Sequence, residues 1–169
     1  MNKLRKILAG VDTFTKWQGY VMAPFCVTLI LITLYDITGR RLGLFTAWAF
    51  DTEWFHYGFL MMLTMGYAVL KDQHVRVDLV TTRFSPRTQA ILMAVSYLFF
   101  VIPFMILIVI YSWDFGMHAR EVGEISLTAW AGPLWPIKMS IFIGICLMLP
   151  QCFAEAIRNI YAAIKREKL

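Results

Sequence analysis

The chain has 169 residues, 59% of them hydrophobic and 16% charged, whereas a soluble domain is about a quarter charged. With a positive mean hydropathy, this excludes an ordinary soluble domain and points to an integral membrane protein. The net charge of +5 suits membrane topology and anionic lipid and gives no support for nucleic-acid binding.

Leu4, Ile7, Leu8, Val11 and Phe14 recur at helical spacing, with Arg5, Lys6, Asp12 and Lys16 on other faces. The pattern predicts an amphipathic helix over 2–18, lying in the membrane interface. The apolar stretch after Lys6 is broken at Asp12, short of a signal-peptide core, so the first span is expected to direct insertion. Four apolar runs, roughly 19–35, 54–70, 90–113 and 134–154, are long enough to cross a ~30 Å hydrocarbon core at 1.5 Å rise per residue. Lipid offers backbone groups no partners, so these runs are predicted helices; the alternation of barrel strands is absent. The expected architecture is one all-α, four-helix transmembrane domain over 1–169, with a further amphipathic segment over 155–168 continuing the last helix.

Span one runs into Tyr35-Asp36-Ile37-Thr38-Gly39-Arg40-Arg41, where Asp36 and Arg40 have the spacing of a surface ion pair. Leu42, Leu44, Phe45 and Trp48 predict a loop lying on the membrane surface. Asp51 or Thr52 is expected to cap helix two, with Glu53 where the helix dipole favours an anion. Pro103 in span three removes a backbone hydrogen bond and predicts a kink. A polar external segment follows, with Asp114, His118, Arg120, Glu121 and Glu124; Pro133 and Pro136 open helix four. Lys138 lies one turn into that span. It either snorkels to the interface or pairs with an acid such as Glu53 or Glu124.

Lys3, Arg5, Lys6, Lys16, Lys71, Arg76, Arg83, Arg87, Arg158, Lys165, Arg166 and Lys168 fall on one side of this topology, against Arg40, Arg41 and Arg120 on the other. Both termini are therefore expected in the cytoplasm. The three cysteines sit in apolar runs and predict no disulfide. No cofactor is expected, because the chain lacks a Walker loop, a nucleophile constellation and any metal-spaced Cys or His cluster. Span midpoints near Thr28, Met62, Ile102 and Gly144 carry no ionisable residue, so the chain is not expected to move a solute alone. A haem-bearing anchor of a respiratory complex is the alternative. It would need His56 and His118 at one depth, and His74 lies about 27 Å along a helix from His56.

Glu53 opening span two, the exit Gly66-Tyr67-Ala68-Val69-Leu70-Lys71-Asp72-Gln73-His74-Val75-Arg76-Val77-Asp78, and Glu124-Ile125-Ser126 running to Pro133-Leu134-Trp135 carry a resemblance. The sequence resembles the small, Q-type membrane subunit of tripartite ATP-independent periplasmic (TRAP) transporters over almost its whole length. The resemblance implies a bacterial inner-membrane subunit, without catalytic residues, that braces the scaffold of a large elevator-type membrane subunit on a separate chain. That partner would carry the sodium coupling, and a periplasmic binding protein would deliver an organic acid such as a C4-dicarboxylate or sialic acid. It marks Glu53, His74, Arg76, Asp78, Glu124, Ser126, Pro133 and Trp135 as scaffold residues. With the expected topology, Arg40, Arg41, Asp51, Arg120 and Glu121 become candidate docking charges. His74 to Asp78 read either as a rigid corner between helices two and three or as a contact with the large subunit. Membrane lipids are the remaining expected partner.

Overall fold

The computed structural model describes residues 2–71 and 84–165. All regular structure in them is helical: α1 (Asn2–Arg41), α2 (Ala47–Leu70), α3 (Pro86–Val95), a π-helical stretch (Ser96–Val101), α4 (Ile102–Glu121) and α5 (Trp135–Lys165). Three helical rods, Lys3–Arg41, Pro86–Glu121 and Trp135–Lys165, are long and apolar enough to cross a membrane. The 24 residues of α2 span about 36 Å, enough length to cross as well, although Asp51, Glu53 and His56 leave it a shorter stretch without Asp, Glu, Lys, Arg or His than any of the three rods has.

The amphipathic segment over 2–18 and the first span are one helix. The 40 residues of α1 run continuously for about 60 Å, because the same face stays in use: Leu8, Thr15 and Gln18 are all buried. The predicted cap of helix two moves. α2 starts at Ala47, four residues before Asp51, and Thr52 Oγ1 donates back to Trp48 O inside the helix at 2.6 Å. Likewise α4 runs on to Glu121, so Asp114, His118 and Arg120 are helical.

Around Pro103 the helix widens. Ile102 N–H reaches Tyr97 O, five residues back, and the π turn ends just before the proline. A proline ring crowds the carbonyl four residues earlier, and the wider turn relieves that crowding.

Rods consecutive in the chain alternate in direction. Gly19 lies against Tyr67 and Gly39 against Thr46, so α1 and α2 run antiparallel; Gly116 against Met139 and Trp113 against Phe142 give the same relation for α4 and α5. Gly58 meets Ile137, Gly144 meets Met62 and Gly66 meets Met148, which sets α2 and α5 side by side and parallel. The bundle thus has a terminus end and a loop end. A core of Val69, Tyr97, Ile102, Met148, Cys152 and Ala156 sits between α2, the π stretch and α5 toward the terminus end. Most other large apolar side chains face outward, among them Phe100, Tyr111 and Ile30.

Candidate functional site

Polar side chains gather at the two ends of the bundle. At the loop end, α4 stops at Glu121 and the chain turns away at Gly123, whose φ of 64° suits glycine. The following loop is pinned shut: Leu134 N–H donates to Glu124 O at 2.9 Å, Ser126 N–H donates to Gly132 O at 2.8 Å, and Ile125 bridges to Pro133. Lys138 Nζ stands 2.5 Å from Glu124 Oε2 and 4.0 Å from the Phe115 ring centroid. Of the destinations considered for Lys138, the structure therefore has the ion pair with Glu124, and the pair ties the loop to the first turn of α5. Ser126 Oγ donates to Thr128 Oγ1 at 3.2 Å, and Thr128 donates to Asp51 of α2. Arg120 covers the Trp135 ring at 5.5 Å. Glu124, Ser126, Pro133 and Trp135 thus lie in one knuckle between α4 and α5, with Asp51 and Lys138 as its posts.

Asp51 is 3% exposed. It is a buried acceptor for the loop, accepting from the Thr128 hydroxyl where water cannot compete. Arg40 is also engaged, donating from Nε to Asp36 Oδ1 at 3.0 Å and lying over the Phe50 ring at 5.6 Å. Arg41, Arg120 and Glu121 are exposed. Glu53 sits in the second turn of α2, not its first; its Oε1 is buried and meets no hydrogen-bond partner among the described residues. His74, Arg76 and Asp78 lie outside the described residues.

The terminus end holds a second cluster that was not singled out from the sequence. Arg158 donates to Asp12 Oδ2 at 2.6 Å and to Glu155 Oε1 at 2.5 Å. Gln151 Nε2 donates to Asp12 Oδ1 and Glu155 Oε1, both at 3.3 Å, and Gln151 Oε1 accepts from Thr15 at 3.1 Å. One turn further along, Gln18 donates to Leu63 O of α2. Thr15 and Gln151 are fully buried. The signal was there: Asp12, Thr15 and Gln18 on α1, and Gln151, Glu155 and Arg158 on α5, put polar groups three and four residues apart along apolar helices.

Neither end resembles a reaction centre. Among the described residues no group of three or more His, Cys, Asp or Glu could hold a metal ion. The His56 ring rests 5.9 Å from Phe25 with Nδ1 3.2 Å from Thr52 O, and His118 is exposed in the last turn of α4. A comparison with protein families matches residues 29–161 to the family described as Tripartite ATP-independent periplasmic transporters, DctQ component. The chain belongs to the DctQ family. No curated protein matches it. As a DctQ protein it is a small membrane subunit of a TRAP transporter, multi-pass and non-catalytic, which replaces the haem-anchor alternative. A tripartite system also implies further transporter components as partners.

Proposed function

We propose that this DctQ subunit is a four-span brace in the bacterial inner membrane, with both termini cytoplasmic and the loop end periplasmic. It packs on a separate large membrane subunit, which performs sodium-coupled uptake of an organic acid delivered by a periplasmic binding protein. The observation that carries this reading is where the polar groups lie. Around the span midpoints Thr28, Met62, Ile102 and Gly144 there is no Asp, Glu, Lys, Arg or His, whereas a solute path needs such groups or unwound backbone near the midplane. The polar residues instead fasten helices to one another at both ends, as a scaffold requires. Glu53, Glu124, Ser126, Pro133 and Trp135 act in this reading as shape-holding residues of the brace, and His74, Arg76 and Asp78 as the corner between its second and third spans. Arg41, Arg120 and Glu121, with Arg40 already engaged by Asp36, are the charges left to orient the binding protein. Exposed charges of both signs suit a partner that must leave after each delivery.

Liposome reconstitution tests the reading. The chain alone is expected to show no sodium-driven uptake of dicarboxylate or sialic acid. Uptake should require the large subunit and binding protein together, and fall when this chain is left out. Sodium-driven uptake by the chain alone would overturn it.

A further inference from the structure

The N-terminal half of α1 has two outward features that its packing does not use. Ile7, Gly10, Phe14, Trp17 and Val21 recur three and four residues apart, and the large side chains among them are exposed, Ile7 by 64% and Trp17 by 63%. Lys3 and Lys6 border this stripe, and Arg5 and Lys16 lie further round the helix; all four are exposed and form no ion pair among the described residues. Asp12 is the only acid before Asp36 in the sequence, and its carboxylate is taken by Arg158 and Gln151. The clasp therefore does two things. It neutralises the single negative charge of this half of the helix, and it fixes the rotation of the helix, with Leu8, Thr15 and Gln18 turned inward and the stripe and cations turned out.

We propose that this half of α1 is a binding surface for anionic phospholipid. An apolar stripe flanked by cations matches the boundary between acyl chains and negatively charged headgroups, with Trp17 and Tyr20 suited to that depth. Each basic residue near such a surface adds attraction, and here no exposed acid opposes it. A protein partner would be an alternative cover for the apolar stripe, but every exposed cation of this half of the helix is unpaired among the described residues, and together they select a negatively charged occupant, which a phospholipid headgroup supplies. The inference stands whichever side of the membrane this end occupies, and so is independent of the bracing role.

Gly10 offers the probe, since a Cβ there meets nothing within 4 Å. The full chain carrying Gly10→Cys, with the exposed Cys26 and the half-buried Cys146 changed to Ser, is spin-labelled and reconstituted in phosphatidylcholine with or without phosphatidylglycerol. Accessibility is then read with oxygen and with a water-soluble nickel chelate. With phosphatidylglycerol, chelate access is expected to fall about three-fold while oxygen access stays high. The neutralised chain, with Lys3, Arg5, Lys6 and Lys16 all changed to Gln, should lose that difference. A label at Leu127→Cys, fully exposed at the loop end, should not respond to lipid composition. Equal chelate access in both lipids overturns the proposal, and does so even if the neutralised chain fails to fold. Equal protection of the original and neutralised arms, or protection only after the other transporter components are added, also overturns it, the latter in favour of a protein cover.

Discussion

Arg158 answers two carboxylates at once, Asp12 on α1 and Glu155 on its own helix, and all three side chains keep about a fifth of their surface exposed. An exposed pair contributes at most ~1 kcal/mol, whereas breaking a buried one costs ~3–5 kcal/mol. Arg158→Ala should therefore destabilise by about 2 kcal/mol, between those limits, because it leaves two acids facing each other across Gln151. Asp12→Ala should cost less, since Arg158 keeps Glu155. The double variant should fall short of the sum by about 1 kcal/mol in thermal unfolding in detergent; strict additivity would mean that the clasp adds nothing as a unit. Asp36 and Arg40, four residues apart, could be paired from the sequence, and the structure has that pair. Asp12 and Arg158 could not: 146 positions separate them, and each alone reads as a charge off the apolar face of its helix.

Close helix approach rests on a few glycines. A Cβ at Gly144 of α5 would lie 2.8 Å from the Met62 carbonyl carbon and closer still to its oxygen. Backbone cannot move aside as a side-chain tip can, so Gly144→Ala must push α2 and α5 apart, at about 1–3 kcal/mol. Gly10→Ala meets open space and should stabilise by about 0.5 kcal/mol through helix propensity. Melting temperatures of the two variants in detergent should move in opposite directions. An unchanged melting temperature for Gly144→Ala would show that the approach is looser than described. Helix positions were largely readable, because runs of apolar residues must be helical in lipid, but several ends were not. Polar residues such as Asp51 and Asp114 look like boundaries, yet each lies within a helix, Asp51 buried against Thr128 and Asp114 on an exposed face. The π stretch before Pro103 was also hidden, since a proline announces a missing hydrogen bond but not the form of its accommodation.

At the level of the bundle, α2 is decisive. It packs on both α1 and α5, and protein on two sides lets it keep Asp51 buried and Glu53 and His56 half-buried in its first half. Because it runs antiparallel to α1 and parallel to α5 alongside both, it should cross the bilayer with them. Fusions test this. A fluorescent protein at either terminus should mature, alkaline phosphatase at either terminus should be inactive, and phosphatase placed in the 42–46 or 122–134 loops should be active. Active phosphatase at just one terminus would mean an odd number of crossings. The sequence carried enough to order the helices and the charge bias, but not which helices touch. That α2 and α5 would meet through Gly58, Gly66 and Gly144 depends on surfaces far apart in the chain.

The clasp at the terminus end also has a timetable. Thr15 and Asp12 are made early, while their partners Gln151 and Arg158 follow 136 and 146 residues later. At translation rates of roughly 5–20 residues per second, α1 waits on the order of ten seconds before its polar face is answered. A nascent chain halted before α5 would carry an unanswered acid, hydroxyl and amide on its first helix, a mark by which cellular quality control could tell an unfinished subunit from a finished one.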